Sequence, residues 1–322
     1  MRRIAVLTSG GDAPGMNAAI RAVVRSADAA GLETYGVREG FAGLVAGRIA
    51  PLDARAVSGI LHLGGSILAT SRSPRFRTTE GRQEALKHLD LAEIDGLVVI
   101  GGDGTFRGAD ALSREGHIRV VGIPGTIDND VSGTDFTLGF DTAVNTALES
   151  IDRIRDTASS HGQLFFVEVM GRRSGWLALY AGLAGGGTEA LVPEHPTDIQ
   201  GLRKRVLESF ALGKRFCLVI VSEGDVAGGA YGVAQRVAEG TGIGYRVTTL
   251  GHVQRGGSPT MRDRVLASVL GDAAVTALAQ GADRVMVGQR NREVVRTTLE
   301  HAYSRAERSP DELLDLMARL AR

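Results

Sequence analysis

The chain has 322 residues, of which 43% are hydrophobic and 23% charged, a balance that excludes wholesale disorder. Its 37 basic and 37 acidic residues cancel, so we expect neither a nucleic-acid-binding nor a membrane-binding surface. The single cysteine, Cys217, excludes a disulfide framework and a cysteine zinc cluster. No apolar run has the length of a signal peptide's core or of a membrane span, so the sequence predicts a cytoplasmic protein of two domains.

Three apolar runs in the first part of the chain each lead into a glycine-rich loop and then into a helical pattern. The runs lie at residues 3–9, 94–100 and 119–124. After the first run, one apolar face recurs at the i, i+3, i+4, i+7 spacing of a helix. That face consists of Ile20, Val23, Val24 and Ala27. Repeated β-loop-α units of this kind predict a parallel sheet with right-handed crossovers.

The second half of the chain repeats the alternation with different loops. Strands are predicted at residues 165–170, 190–193, 216–221, 245–250 and 284–287. Helices are predicted at residues 197–212, 259–279 and 310–320, the first with Thr197 as its N-cap. Because no linker rich in proline or serine separates the halves, we expect an α/β fold of two closely connected, doubly wound lobes with mostly parallel sheets.

A glycine-rich loop at residues 101–105 (GGDGT) has the composition of a phosphate site. In an open α/β sheet, ligands bind at the carboxyl ends of the strands, where helix N-termini favour anions and glycine allows close approach. Asp103 would repel a phosphate unless a cation intervened, so the loop indicates Mg²⁺. The alternative is a glycine-rich turn with Asp103 as a helix cap. The only Gly-Lys pair, at residues 213–214, is followed by arginine, so the chain has no P-loop.

A second loop, at residues 125–130 (GTIDND), places two carboxylates and a hydroxyl close together in sequence. A kinase that acts on an alcohol needs a carboxylate to accept the hydroxyl proton, and Asp128 or Asp130 offers one. The alternative is an Asx-turn without chemistry.

Charged residues accompany the strand patterns of the second half. His252 and Arg255 lie in residues 251–259 (GHVQRGGSP), and Arg246 lies within a strand pattern. Arginine suits a bidentate hold on a sugar phosphate. Glu223 follows a strand and can bind sugar hydroxyls. The alternatives are solvated arginines and a charge at a helix start.

Together these segments resemble one family, the bacterial ATP-dependent 6-phosphofructokinases. The resemblance runs from about residue 3 to residue 288 through LTSGGDAPGMNAAIR, VVIGGDGT, PGTIDND, IDRIRDT, VEVMG and LGHVQRGGSP. The GGDGT motif is shared with NAD and lipid kinases, whereas PGTIDND together with GHVQRGGSP is specific. The resemblance implies Mg²⁺-dependent phosphoryl transfer from ATP to the 1-hydroxyl of fructose 6-phosphate, in an allosteric, cytoplasmic, glycolytic homotetramer.

The resemblance also implies lobes and residue roles. Residues 1–138 plus about 252–303 would form the ATP-binding lobe, and residues 139–251 plus about 304–322 the fructose 6-phosphate-binding lobe. Asp128 would be the base, and the other catalytic residues would be Thr126, Arg72 and Arg172. The ATP set would be Gly11, Arg72, Ser73, Gly102, Asp103, Gly104 and Thr105, with Asp103 also holding Mg²⁺. The sugar-phosphate set, partly from a neighbouring subunit, would be Thr126, Ile127, Asp128, Met170, Gly171, Arg172, Glu223, Arg246, His252, Val253, Gln254 and Arg255. The effector set, for ADP or phosphoenolpyruvate, would be Arg21, Arg25, Arg155, Glu189 and Lys214.

The sequence departs from the family pattern at several positions. Gln163 stands where the family usually has an arginine, so we expect a raised Michaelis constant for fructose 6-phosphate and little cooperativity. Ser73 stands where an aromatic or similar group often follows the arginine near the adenine. Three expected charges of the effector site are absent, which predicts weak effector control. They are replaced by Ala54, Gly59 and Leu212.

Three other functions fit parts of the pattern. One is a pyrophosphate-dependent relative, which Gly104 and Gly125 disfavour because an aspartate and a lysine tend to stand there in such enzymes. Another is an NAD or lipid kinase, which GHVQRGGSP disfavours. The third is a sugar-phosphate sensor with an inactive site, against which Asp103 and Asp128 argue.

Overall fold

The computed structural model describes residues 1–224, 228–304 and 310–321, which fall into two compact units. The first unit contains Met1–Thr126, Asp130–Thr142 and the described residues from Arg255 to Ser304. The second contains Ile127–Asn129, Ala143–Gln254 and residues 310–321. The chain therefore crosses between the units more than once. The assignment of ATP to one lobe and of the sugar phosphate to the other stays a prediction.

Eleven strands in the described residues form the two sheets. In chain order they are β1 (Arg3–Thr8), β2 (Glu33–Val37), β3 (Ile49–Pro51), β4 (Gly96–Gly101), β5 (Arg119–Pro124), β6 (Leu164–Val169), β7 (Glu189–Leu191), β8 (Cys217–Ser222), β9 (Tyr245–Thr249), β10 (Val285–Arg290) and β11 (Glu293–Thr298). The described helices are α1 (Met16–Ala29), α2 (Gly40–Val45), α3 (Thr79–Leu91), α4 (Asp103–Glu115), α5 (Phe140–His161), α6 (Trp176–Ala184), α7 (Ile199–Ala211), α8 (Gly229–Ala238), α9 (Met261–Ala279), α10 (Leu299–Ala302) and α11 (Asp311–Leu320).

The first unit is built on a seven-stranded sheet in the order β11-β10-β5-β4-β1-β2-β3. Its inner strands are parallel, and the two outermost pairs, β2 with β3 and β10 with β11, are antiparallel. The predicted parallel sheet is confirmed for the buried strands β1, β4 and β5. The edge strands β3 and β11 were not predicted, because one is three residues long and the other is largely exposed.

Helices cover the first sheet. The four residues of the predicted apolar face of α1 are buried, as expected from their spacing. α1 lies against α9 so closely that a Cβ on Gly271 would stand 2.4 Å from the Cβ of Ala22. This packing leaves the carboxyl ends of β1, β4 and β5 to the loops that the sequence marks as functional.

The second unit contains a four-stranded, fully parallel sheet in the order β7-β8-β6-β9. The strands β6 and β8 are almost entirely buried, as their apolar runs predict. One helix start was predicted wrongly. Asp198, not Thr197, caps α7, because its carboxylate accepts the N–H of Gly201 at 2.9 Å. Among the described residues, no helix combines the length and the apolarity needed to cross a membrane.

Candidate functional site

In the first unit, the loops after β1 and β4 are fastened to each other at the carboxyl edge of the sheet. The hydroxyl of Thr105, in the first turn of α4, donates to the carbonyl of Ser9 at 3.1 Å. Gly125 N–H, after β5, donates to the carbonyl of Gly101 at 3.0 Å. The three glycine-rich loops therefore meet along one edge, with the N-terminus of α4 at its centre. That arrangement favours an anion.

Asp103 and Gly104 begin α4 at this edge, and Gly104 is exposed. The carboxylate of Asp103 accepts the N–H of Gly104 at 2.7 Å and is solvent-accessible. A Cβ added at Gly104 would meet nothing within 4 Å, and the backbone there is not left-handed. Among the glycines whose surroundings the structure describes, Gly104 alone combines these two properties. The fold itself therefore does not require glycine at this position.

Gly11 is exposed and lies against an arginine. A Cβ on Gly11 would stand 2.2 Å from Nη1 of Arg255. The same guanidinium donates to the carbonyl of Asp12 at 3.2 Å. The missing side chain at Gly11 thus makes room for Arg255. Two residues predicted for different substrates lie next to each other in this unit.

Residues 52–74, called here the Arg72 arm, contain no helix or strand. Asn17 of α1 holds this arm in place through hydrogen bonds. The side-chain amide of Asn17 donates to the carbonyls of Leu63 and Gly64 at 3.2 and 3.0 Å, and its oxygen accepts the N–H of Ile67 at 2.7 Å. Asn17 is buried, whereas Arg72 is exposed. Sequence reasoning missed Asn17; its one signal was a polar residue beside the apolar face of α1.

Ser258 fastens the same arm from another side. Its hydroxyl donates to the carbonyl of His62 at 2.6 Å, and a Cβ on Gly64 would stand 2.4 Å from the carbonyl oxygen of Gly257. The GGSP part of the predicted motif therefore supports the Arg72 arm within this unit. The adjacent Ser73 accepts the N–H of Phe76 at 3.2 Å.

The loop at residues 125–130 spans both units of the chain. Thr126 belongs to the first unit, where its carbonyl accepts the hydroxyl of Thr137 at 2.6 Å and a Cβ on Gly102 would touch its Cβ at 3.5 Å. Ile127 and Asp128 belong to the second unit and are buried. The carbonyl of Asp128 accepts the hydroxyl of Ser174 at 2.7 Å. The predicted base therefore has a buried main chain that is held in place.

A buried aspartate supports the segment that follows this loop. Asp263 accepts the N–H groups of Gly139 and Thr142, each at 2.9 Å, and the hydroxyl of Thr142, at the start of α5. Burial raises the pKa of Asp263 above its ordinary value, against these three hydrogen bonds, which lower it. Sequence reasoning missed Asp263, since a capping contact across some 120 residues of chain leaves no local pattern.

In the second unit, a side chain hydrogen-bonds to the main chain at the carboxyl ends of β6 and β8. The carboxylate of Glu223 accepts the N–H of Arg172 at 3.0 Å. Arg172 is exposed and left-handed, with φ of 54°. A Cβ on Gly224 would stand 1.6 Å from the carbonyl oxygen of Arg172, so this close approach requires glycine. Arg172 and Glu223, both predicted for the sugar phosphate, are in direct contact.

Gln254 holds the neighbouring segment. Its side-chain oxygen accepts the N–H of Met170 at 2.9 Å, and the whole residue is buried. Its Nε2 donor is also buried and has no hydrogen-bond partner among the described residues. The adjacent His252 and Val253 are exposed. Gln254 therefore contacts the predicted Met170–Arg172 segment, while His252 points a titratable ring to solvent.

Arg246 lies near the amino-terminal ends of the strands of the second sheet, opposite the carboxyl ends described above. It is the second residue of β9 and pairs with Phe165 near the start of β6. Met170 follows five residues later, about 16 Å along the strand direction. Gln163 also lies at this amino edge, where a Cβ on Gly244 would stand 3.5 Å from its Nε2. One copy of this sheet therefore does not bring Arg246 and Gln163 to the edge that carries Met170, Arg172 and Glu223.

The predicted effector residues of the second unit are engaged within the chain. Arg155 donates to the carbonyl of Gly185 at 2.7 Å, and Glu189 accepts Arg205 at 2.8 Å. Lys214 donates to the carbonyl of Ala321. Glu189 and Lys214 also line a cavity of about 730 Å³ beside β7, α7 and α11. Arg21 and Arg25 lie on α1 of the first unit, one turn apart.

Glycine-rich loops at a helix N-terminus, a buried aspartate after them and the absence of a P-loop are features of one class of phosphoryl-transfer enzyme. The phosphofructokinase family matches residues 3–278 of the chain. The chain belongs to the phosphofructokinase family, which confirms the resemblance and the predicted fold class.

Curated relatives match the chain along its whole length. It is 55% identical over 321 residues to "ATP-dependent 6-phosphofructokinase 1" of Thermus thermophilus, with 100% of both chains covered. It is 50% identical over 311 residues to the ATP-dependent 6-phosphofructokinase of Enterococcus faecalis, covering 97% of this chain and 96% of the other.

Solved structures share the fold. Phosphofructokinase from Saccharomyces cerevisiae superimposes with a TM-score of 0.89 and 35% identity, over 100% of this chain and 48% of that longer chain. A pyrophosphate-dependent phosphofructokinase from Nitrosospira multiformis gives a TM-score of 0.88 over 100% of this chain and 92% of the other. At 23% identity, that second likeness shows the fold alone.

Proposed function

We propose that this chain transfers the γ-phosphoryl group of ATP to the 1-hydroxyl of fructose 6-phosphate, giving fructose 1,6-bisphosphate and ADP in glycolysis. Relatives named ATP-dependent 6-phosphofructokinases, at 50–55% identity over nearly the full chain, support the reaction. The GGDGT and GHVQRGGSP segments, which carry the resemblance to the bacterial ATP-dependent 6-phosphofructokinases, are both present.

The observation that carries the choice of ATP is the open surface at Gly104. A side chain would fit there without disturbing the fold, so glycine at this position leaves room for a ligand. It lies at the N-terminus of α4, where main-chain N–H groups and the helix dipole attract phosphate. A nucleotide needs this volume for its α-phosphate, whereas pyrophosphate does not.

Asp128 is the base in this proposal. It accepts the proton of the 1-hydroxyl as that oxygen attacks the γ-phosphorus, in line with the departing ADP. Thr126 and Ile127 directly precede Asp128 in the same loop. Arg72 and Arg172 neutralise the negative charge that develops on the transferred group. Both guanidinium-bearing residues are exposed on the protein and available to a ligand.

The residues at the start of α4 fit Mg²⁺. Among the described residues, no group of three or more histidine, cysteine, aspartate or glutamate side chains forms a metal cage. Mg²⁺ commonly binds to one or two carboxylates and takes its other ligands from water and substrate phosphates. Asp103 offers one such carboxylate beside the Gly102–Thr105 turn. When bound, Mg²⁺ offsets the charge of the ATP phosphates.

The sugar-phosphate set supports a homo-oligomer, which we propose is the tetramer of the family. Met170, Arg172, Glu223 and His252 follow the carboxyl ends of β6, β8 and β9, whereas Arg246 lies at the amino edge of the sheet. A second copy that brings its Arg246 to this carboxyl edge would complete the set. The same geometry would bring Gln163 with it, as a neutral side chain in place of an arginine.

Effector control by ADP or phosphoenolpyruvate is expected to be weak. Each charge-assisted bond to phosphate that Ala54 and Leu212 cannot make is worth roughly 1.5–3 kcal/mol. Phosphoenolpyruvate should therefore inhibit only at high concentration. Inhibition at micromolar concentration would show that Arg55 or Arg215 compensates. We place the enzyme in the cytoplasm, where glycolysis supplies both substrates.

A coupled assay that detects fructose 1,6-bisphosphate tests the proposal. We expect turnover with fructose 6-phosphate plus ATP and Mg²⁺, and little with pyrophosphate. Turnover with pyrophosphate alone would instead identify the pyrophosphate-dependent relative. Phosphorylation of NAD or a lipid would identify the kinases that share GGDGT. Binding of fructose 6-phosphate without turnover under any donor would identify a sensor protein.

A further inference from the structure

Ser174 joins the main chain of Asp128 to the segment that follows β6. It is 3% exposed, and its hydroxyl donates to the carbonyl oxygen of Asp128 at 2.7 Å. Both residues belong to the second unit. The hydroxyl has no exposed face for a substrate, so its donor serves the protein itself.

The segment around Ser174 is tightly constrained. Its N–H donates to the carbonyl of Gly171 at 2.8 Å, closing a turn over Arg172 and Arg173. Its carbonyl accepts the hydroxyl of Ser222 at 3.4 Å, and the N–H of Gly175 donates to the carboxylate of Glu194 at 2.9 Å. Ser174 therefore has a fixed backbone from which to hold another segment.

Asp128, by contrast, lies in a turn between β5 and α5 and belongs to neither a helix nor a strand. The loop turns sharply at Asn129, which is left-handed with φ of 49°. A carboxylate on such a loop is aimed by its own backbone, because Asp has only two side-chain torsions. A hydrogen bond that fixes the carbonyl of the same residue therefore contributes to where the carboxylate points.

We propose that Ser174 is a positioning residue for the phosphoryl-transfer reaction: its hydroxyl orients Asp128 through the Asp128 carbonyl and links that orientation to the Met170–Arg172 turn. The inference rests on the proposed role of Asp128 as the base. Ser174 touches neither substrate nor reacting atoms. Its effect is on the rate of the chemical step, and not on the affinity for fructose 6-phosphate or ATP.

The first test is Ser174→Ala, which removes the donor and leaves the buried volume nearly unchanged. A misplaced catalytic group can cost up to about 100-fold in rate, so we expect kcat to fall roughly 5- to 100-fold. Both Michaelis constants should stay within about threefold if the role is positioning. The control is Ser113→Ala, which removes another buried hydroxyl, one that donates to Asp283 at 2.9 Å and lies in α4. Its kcat should stay near that of the wild type.

The second test separates positioning from general support of the fold. In an Asp128→Ser background the base is absent, so adding Ser174→Ala should leave the residual kcat unchanged. An equal further loss in that background would overturn the proposal, because it would show a structural effect independent of the base. A wild-type kcat for Ser174→Ala, or a rise in Michaelis constant alone, would overturn it as well.

These outcomes are distinct from a failure of the proposed function. If Asp128→Ser itself retained normal turnover, the assignment of the base would be wrong. If Asp128→Ser collapsed while Ser174→Ala stayed normal, only the role of Ser174 would be wrong.

Discussion

The two units offer ligands different chemistry at the carboxyl ends of their strands. In the first unit, the edge around α4 is glycine-rich main chain at a helix N-terminus, and Gly104 leaves an open surface there. In the second unit, side chains bind the main chain at the corresponding edge. Glu223 accepts the N–H of Arg172, and Gln254 accepts the N–H of Met170. The difference implies opposite sensitivities. Adding atoms should harm the first edge, and removing or exchanging polar groups should harm the second.

This contrast follows from the proposed substrates. The phosphates of a nucleotide have negatively charged oxygens on all sides of each phosphorus. They are therefore suited to several N–H donors at a helix N-terminus. A sugar phosphate has hydroxyls at fixed positions and needs individual acceptors and guanidinium groups.

The largest effect is expected for Asp128→Ser, in the loop that belongs to both units. The variant keeps a small polar residue and removes the proton acceptor, so kcat should fall about 10²–10⁴-fold. The affinity for fructose 6-phosphate, measured by equilibrium binding, should change only a few-fold. Asp130→Ser is the matched comparison, and a larger loss there than at Asp128 would transfer the role of base to Asp130.

A smaller effect, on the Michaelis constant for fructose 6-phosphate, is expected when a positive charge is added at Gln163 in the second unit. Gln163 is shorter than the expected arginine and neutral. Gln163→Arg should lower the Michaelis constant for fructose 6-phosphate by an amount worth at most about 1.5–3 kcal/mol. Steady-state titrations at saturating ATP measure this change. An unchanged constant would mean that the side chain does not face the phosphate or that another arginine, such as Arg173, already does.

Some of this contrast could be predicted from the sequence and some could not. The buried strands β1, β4, β5, β6 and β8 are mostly apolar, so their positions and the loops after them follow from the pattern. Edge strands such as β11 have no such run and were missed.

Long-range supports were missed for a different reason. Asn17, Ser174 and Asp263 hold functional segments through hydrogen bonds to main-chain groups 46 to 124 residues away. Such contacts depend on the folded chain and leave no local spacing. The loops and several of their charged residues could be singled out from the sequence pattern alone, whereas the role of each residue was assigned from the resemblance to a family.

Gly104→Ala is the reciprocal change, on the first unit. Because the position is helical and open, alanine should preserve or slightly raise the melting temperature. The added methyl should raise the Michaelis constant for ATP about tenfold through crowding at the phosphates. The Michaelis constant for fructose 6-phosphate serves as the internal control. If neither constant moves, the open surface does not serve ATP.

The smallest effect is expected at the amino-terminal ends of β1 and β4 in the first sheet. Charged side chains, not glycines, surround the main chain there. Asp95 accepts the N–H groups of Arg2 and Arg3, and these bonds hold the pKa of its carboxyl below its ordinary value. Its stabilisation is therefore present above about pH 4 and is lost as the pH falls through the lowered folded pKa. Asp95→Asn should lower the melting temperature slightly at pH 7, and the difference should narrow below about pH 4. A constant difference across that range would contradict the account.

We expect one phosphoryl group to pass from ATP to the hydroxyl oxygen on carbon 1 of fructose 6-phosphate. Phosphorus NMR of the wild-type enzyme with both substrates and Mg²⁺ follows donor and product in one experiment. The account predicts loss of the γ-phosphate signal of ATP, an equal gain of ADP, and one new phosphomonoester coupled to the protons of carbon 1. A new phosphomonoester at any other carbon, or ATP that stays intact while pyrophosphate supports the reaction, would contradict it.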